Sequence, residues 1–272
     1  MPEYDYIFVL LVYRNTSDPE EFIASLKNIK ASYRVILVNS FYDRQSEEKA
    51  AKLCEKNGCD FISTENRGYG AGNNLGIAFA AEHYRYKFLI VANPDVEIGN
   101  FPADLMDYAG SPCICGPLIK TLTGKRQNPC MVINSPFREF WLRRFAIKPE
   151  NKLPFYIAIG VNKIERNLFN LVFGRSVKRV YSLHGSFMIF SYEALRMLPQ
   201  PFDPRMFLFR EEDHVARCAR RLHIRMIYNP HIDVLHKEDG SVKLDNEHLK
   251  AHTVDSLRVY FGIKESTSKT NE

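Results

Sequence analysis

Four stretches of the sequence gather residue types that can do chemistry. Asp95 stands in Asn93-Pro94-Asp95, directly after the apolar run Phe88-Leu89-Ile90-Val91-Ala92. Such a run reads as a strand covered on both faces, and the proline ends it because it has no N–H for the ladder. The tripeptide is good turn chemistry. It is equally a carboxylate delivered to the carboxyl end of a core strand, where open α/β sheets bind metals and phosphates. Glu211, Glu212 and Asp213 stand together at the start of a predicted helix, where acids meet the macrodipole favourably. They follow the aromatic stretch FDPRMFLF, so one can cap the helix while another faces a cleft with its pKa raised toward general-base work. Residues 65–76, ENRGYGAGNNLG, place Gly68, Gly70, Gly72 and Gly76 between a strand and a helix. A glycine backbone approaches a ligand closely, and a helix N-terminus suits an anion such as a diphosphate. The spacing matches neither the Rossmann fingerprint nor a P-loop, and a flexible turn is the plain alternative. Finally, HIDVLHKEDGS ends a strand with His236, in a chain that also carries His223 and His231 nearby.

The first half must position these groups with alternating strands and helices. YIFVLLVY, YRVILVN, CDFIST and YKFLIVA read as strands. DPEEFIASLKNIK, SEEKAAKLCEKNG and NNLGIAFAAEHY read as helices between them. In the first helix Asp18 is the expected N-cap, Pro19 the first helical residue, and Phe22, Leu26 and Ile29 the buried face. Gly58 closes the second. This alternation predicts an α/β fold with a mostly parallel sheet flanked by helices. After Gly110 the rhythm breaks. CICGPLI reads as a strand, and residues 121–180 as an irregular, basic and aromatic insertion without a clear period. YSLHGSFMIF then reads as a strand, SYEALRML as a helix capped by Ser191, EEDHVARCARRL as a helix, and IRMIYN and IDVLH as two strands. NEHLKAHTVDSLRVYFG is the expected C-terminal helix, before a polar tail. The expected division is a catalytic domain over 1–240, with a ligand-binding half at 1–120 and a second half at 121–240, and a C-terminal helical tail over 241–272.

Bulk composition excludes several classes. With 45% hydrophobic and 25% charged residues the 272-residue chain is ordinary for a globular protein, and no apolar run approaches a membrane span. Glu3 and Asp5 stand where a secretory leader carries positive charge, so a cytoplasmic location is expected. The six cysteines show no zinc spacing and read as reduced structural thiols. The net charge is +5, but Pro136 to Val180 holds ten Lys and Arg against three acids, which leaves the remainder near −2. One basic face, rather than a nucleic-acid binder, is implied. Within it, Phe137, Trp141 and Phe145 fall on one helical stripe beside Arg138, Arg143, Arg144 and Lys148. Two readings stay open: a core helix with solvated arginines, or an interfacial helix against anionic lipid.

Taken in order, VYRN, NRGYGAGNN, NPD, HGSFMIF, FLFREED and VLHKEDGS resemble the family 2 glycosyltransferases of the GT-A fold, particularly bacterial enzymes of surface-polysaccharide synthesis. The resemblance spans residues 12 to 241. It implies a sugar moved from a nucleoside-diphosphate-sugar, UDP- or dTDP-linked, to a glycan or lipid-linked glycan, usually with inversion and with Mn2+ or Mg2+. It places Tyr13, Arg14 and Asn39 at the base and ribose, Asn66, Gly68 and Asn73 in the nucleotide pocket, and Asn93 beside the metal. Asp95 is the implied metal ligand, with His236 at the metal or diphosphate. Gly185 and Ser186 are implied beside donor sugar and acceptor, and Glu212 is the implied base, with Glu211 and Asp213 as the other candidates. Asn39 stands where the family usually has Asp, which leaves the base preference open. The rival readings are a nucleotidyltransferase on a related sheet, which needs a basic glycine-rich loop that VYRNTSDPEE does not provide, and a non-catalytic carbohydrate- or membrane-binding module.

Overall fold

Strands and helices alternate from the first residues of the structure, a computed structural model that describes residues 1–238 and 246–264. In chain order the elements are β1 (Glu3–Val12), α1 (Ser17–Ser25), β2 (Tyr33–Ser40), α2 (Arg44–Asn57), β3 (Asp60–Thr64), α3 (Tyr69–His83), β4 (Arg85–Ala92), β5 (Val96–Asn100), β6 (Cys113–Thr121), α4 (Pro136–Ile147), α5 (Leu153–Phe173), β7 (Lys178–Arg179), β8 (Phe187–Ser191), α6 (Tyr192–Met197), α7 (Glu211–Arg221), β9 (Arg225–His236) and α8 (Asn246–Phe261). The expected Asp239-Gly240-Ser241 end of the histidine stretch and the polar tail beyond residue 264 lie outside the described residues.

One sheet joins both halves in the order β3-β2-β1-β4-β8-β6-β9-β5, with β7 added beside β9. The β/α half is parallel, as its alternation requires: β3, β2, β1 and β4 all run the same way. The second half makes the sheet mixed, because β8 is antiparallel to β4 and to β6, and β5 is antiparallel to β9. Along β1, Ile7 and Val9 enter one core while Tyr6, Phe8 and Leu10 enter another. The same alternation splits Leu89 and Val91 of β4 from Phe88 and Ile90, so a continuous apolar run is what a strand covered on both faces requires. Helices α3, α6 and α7 cover the first face, and α1 covers the second through Phe22.

Several local expectations are corrected. Helix α1 starts at Ser17, with Asn15 Oδ1 accepting the Ser17 N–H at 2.8 Å. Asp18 therefore lies inside the first turn and is not the cap. IRMIYN and IDVLH form one strand, β9, whose register shifts around Pro230, so an Asn-Pro pair that reads as a turn is absorbed as a bulge. The insertion is not irregular: residues 136–173 hold α4 and the 21-residue α5. The expected α4 stripe also divides, because Phe145 is buried, Trp141 half-buried and Phe137 exposed. Arg138 is only 3% exposed, bonded to Glu165 at 2.7 Å and to the Ile133 carbonyl, so it belongs to the interior. Helix α8 lies where the C-terminal helix was expected, and its Val254 and Leu257 pack with Leu142 and Phe145 of α4.

Candidate active site

Asp95 and His236 meet because of sheet register. Val96, the first residue of β5, pairs with His236, the last of β9, so the residue before β5 lies beside the end of β9. The turn is held from both sides: Asn93 N–H donates to the Ser186 carbonyl at 2.8 Å, and Lys237 N–H donates to the Asp95 carbonyl at 3.0 Å. Asp95 Oδ1 is 3.3 Å from His236 Nε2, and both residues are buried. The other ring nitrogen, Nδ1, lies 2.7 Å from Gln127 Oε1, and Gln127 Nε2 donates to Glu238 at 2.7 Å. In the tautomer whose Nδ1–H is donated to the amide oxygen, Nε2 offers its lone pair on the side of Asp95; with the proton on Nε2 the two groups bond directly. Two electron-pair donors 3.3 Å apart suit one cation, since ligands at about 2.1 Å and at right angles around an ion are about 3 Å apart. The donor set therefore fits a divalent metal. Behind it, His184 Nδ1 accepts the Ser186 N–H at 3.2 Å, and burial, then the neighbouring His236, lowers its pKa to about 3. It stays neutral and adds no charge to compete with a cation.

A cleft of about 430 Å³ opens over this pair, lined among others by Tyr13, Asn66, Gly68, Tyr69, Asn93 and Phe207. Gly68 has φ +91°, and a Cβ there would stand 2.3 Å from the Phe207 carbonyl oxygen. That carbonyl accepts the Tyr69 N–H at 2.8 Å, so the glycine loop is clamped to the segment that leads into α7. Glycine is required at Gly68 by this close approach of two backbones. Gly72 and Gly76 let α3 lie directly on Leu11 and Val9. Tyr69 Oη donates to the Gly185 carbonyl at 2.8 Å. Burial, then the charges of Glu211, Glu212 and Asp95, push its pKa up, so its hydroxyl feels both Asp95 and the acids of α7.

Those acids are presented by a strained turn. Phe209 and Arg210 both hold positive φ, 69° and 70°, and such left-handed non-glycine residues cost energy that the surrounding structure must supply. The three carboxylates then have different environments. Asp213 is buried and paired with Arg210 at 2.5 Å; burial raises its pKa and the guanidinium opposes this. Glu211 is 4% exposed, and burial, then the Glu212 charge, raises its pKa to about 8. Glu212 is half-buried and accepts from the Cys130 thiol at 3.7 Å. The ligand atoms of Cys130, Glu212 and Asp213 lie within 4.8 Å of one another, close enough to hold a metal. The chemistry of that set fits less well: burial pushes the Cys130 thiol well up so that it keeps its proton, and Asp213 already neutralises Arg210.

No protein-family model matches the chain, and no curated protein matches it. Among solved structures it is similar to GalNAc-T7 with UDP, GalNAc and Mn2+, at a TM-score of 0.58 and 13% identity, over 86% of this chain and 44% of that one. It is also similar to the mannosyltransferase PcManGT from Pyrobaculum calidifontis in complex with GDP-Man and Mn2+, at 0.53 and 12%, over 97% and 66%. The fold is GT-A-like. The chain spans less than two-thirds of the length of either neighbour, and at this identity the likeness concerns the fold.

Within this GT-A-like frame Tyr13, Asn66, Gly68, Asn93, Asp95 and His236 share the cleft. Arg14 is not among the lining residues; its guanidinium stands 5.0 Å from the ring centroid of Tyr13, which is, and 3.9 Å from that of Tyr42. Asn39 turns inward to Ser63 Oγ at 3.2 Å, and its neighbour Ser40 lines the cleft instead. Asn73 bonds the Tyr69 carbonyl of its own helix and is fully buried. The carbonyls of Gly185 and Ser186 hold Tyr69 and Asn93, but neither residue is among those lining the cleft, and nor are Glu211, Glu212 and Asp213. Sequence reasoning missed Tyr69, Gln127, His184 and His252, the last reaching the cleft from α8 and stacking on Phe207 at 5.0 Å. The adjacency of Tyr69 to Gly68 and that of His184 to Gly185 in HGSFMIF were local signals; Gln127 and His252 depend on tertiary placement.

Proposed function

We propose that the protein is a glycosyltransferase that moves a sugar from a nucleoside-diphosphate-sugar to a hydroxyl acceptor, with Mn2+ or Mg2+ held by Asp95 and His236. The observation that carries this reading is the meeting of Asp95 Oδ1 and His236 Nε2, 3.3 Å apart and both lining the cleft of a GT-A-like fold. Tyr13, Arg14 and Asn66 bind the nucleotide at the rim, where Tyr13, Tyr42 and the Arg14 guanidinium offer flat faces to a base. Asp95 and His236 would hold a divalent cation, which would supply positive charge against the departing diphosphate. Gly185 and Ser186 wall the sugar site. Glu212, the most solvent-reached of the three acids, takes the proton from the acceptor hydroxyl. The acceptor oxygen bonds to the anomeric carbon as the bond to the diphosphate oxygen breaks, and that oxygen keeps the electron pair. This single displacement inverts the anomeric centre. Glu211 holds its proton at neutral pH and acts as a neutral neighbour rather than as the base.

The finer assignment follows the motif resemblance: a hexosyl or deoxyhexosyl group from a UDP- or dTDP-sugar, a glycan or lipid-linked glycan acceptor, and a place in surface-polysaccharide synthesis at the cytoplasmic face of a membrane. The test is release of nucleoside diphosphate from a panel of nucleotide-sugars with Mn2+, Mg2+ or chelator. Metal-dependent release of a nucleoside diphosphate supports transfer. Production of pyrophosphate would identify a nucleotidyltransferase, and no turnover or binding with any donor would remove the enzymatic reading.

A further inference from the structure

Helix α5 carries apolar residues on the side that faces away from the protein. Its inner side is anchored to the protein: Arg166 donates to the carbonyls of Arg126 and Gln127 at 2.6 and 3.0 Å, Asn162 donates to the Cys130 carbonyl at 3.1 Å, and Phe169 meets Tyr228. The opposite side has a continuous stripe at helical spacing, Leu153, Ile157, Gly160, Ile164, Leu168 and Leu171. Leu153, Ile164, Leu168 and Leu171 are 59–83% exposed. At 1.5 Å per residue the 21-residue helix offers a strip about 30 Å long. Scattered exposed hydrophobics are ordinary, but a contiguous strip rimmed by charge marks a docking surface. Among the described residues no helix is long and apolar enough to cross a membrane, and the inward Arg166 ties α5 to the domain.

Charge decides what covers the strip. From Pro136 to Val180 the surface exposes eight Lys and Arg side chains, among them Lys163 on α5 and Lys178 and Arg179 just beyond it, against one exposed carboxylate, Glu150. A second copy would oppose this basic rim with an identical one. An anionic lipid surface offers both a negative headgroup layer and an apolar layer beneath it. We infer that α5 lies in the plane of an anionic bilayer, its Leu153–Leu171 stripe in the acyl boundary and its basic rim among the headgroups. The inward face of the same helix holds the chain at Gln127 and Cys130, which contact His236 and Glu212, so the lipid-facing strip lies one helix thickness from the candidate site. The inference rests on this surface alone and stands apart from the transfer reading.

Co-sedimentation of the full chain with vesicles of phosphatidylcholine, and of equal parts phosphatidylcholine and phosphatidylglycerol, tests it. Wild type binds the anionic vesicles at low salt and is released as salt rises. Ile164→Ser/Leu168→Ser/Leu171→Ser and Lys163→Glu/Lys178→Glu/Arg179→Glu, all at exposed positions, keep the wild-type circular dichroism and each lose binding by about 100-fold or more. Absence of binding to anionic vesicles at low salt, or wild-type binding by either folded variant, overturns it. So does a lipid-free dimer in sedimentation equilibrium that the serine variant abolishes, which would make the occupant a second copy.

Discussion

The three acids at the start of α7 differ in what burial does to them, and this separates their roles. Glu211 is driven to hold a proton at neutral pH, so Glu211→Gln replaces a neutral acid by a neutral amide of the same shape. Turnover should stay within a few-fold of wild type. Glu212→Gln removes the proton acceptor that the acceptor substrate reaches, and kcat should fall by about 10²-fold or more while donor affinity is kept. A reversed order of the two effects would make Glu211 the base. The metal assignment is tested in the same way. Asp95→Asn and His236→Phe should each abolish Mn2+ binding measured by calorimetry and metal-dependent turnover together. Cys130→Ser should leave Mn2+ affinity unchanged, whereas its loss there would move the metal to the Cys130–Glu212–Asp213 group.

At the scale of elements, the site depends on the contact between the glycine loop and the segment before α7. Gly68→Ala puts a methyl carbon 2.3 Å from the Phe207 oxygen at a φ of +91°, and neither backbone can yield without disturbing Tyr69 or the strained Phe209–Arg210 turn. The variant should lose about 1–3 kcal/mol of stability by denaturant titration. Its kcat should fall more than that loss explains, because the acids shift with Phe207; wild-type stability and turnover would refute the clamp. Part of this was legible in the sequence and part was not. Strands β1, β2 and β4 announce themselves because both faces are apolar. Strand β5 does not, since Val96-Glu97-Ile98-Gly99-Asn100 is short, holds a glycine, and follows a turn. Helix α5 was missed although Leu153, Ile157, Ile164, Leu168 and Leu171 hold helical spacing; its polarity is the reverse of the usual one, with Asn162 and Arg166 facing inward. Asp95 and His236 were legible as strand-end residues, but their meeting at 3.3 Å comes from the β5–β9 register, and Gln127 comes from an insertion whose path no local signal gives.

Over the whole molecule, the buried titrating groups fix how stability responds to pH. Glu211 has its folded pKa raised from 4.5 to about 8, so the native state binds a proton that the unfolded chain gives up between those values. Stability is then lost as pH rises through that window. His184 is lowered from 6.5 to about 3, so the unfolded chain binds the extra proton, and stability is lost as pH falls below 6.5. Between about pH 4.5 and 6.5 these two slopes cancel, whereas between 6.5 and 8 Glu211 alone of the two acts. One proton over that interval, at about 1.4 kcal/mol per pH unit, removes about 2 kcal/mol. Asp213, raised by the same burial, moves the optimum toward the acid end of the plateau. The protein without added ligand should therefore be most stable on the acid side of neutrality and melt progressively lower from pH 6.5 to 8. Glu211→Gln, which has no proton to lose, should flatten most of that decline. Melting temperatures recorded across pH 4 to 9 for both proteins decide it: a wild-type maximum above pH 8, or an unchanged alkaline slope in the variant, would mean that Glu211 ionises freely and that the division of labour between Glu211 and Glu212 fails with it.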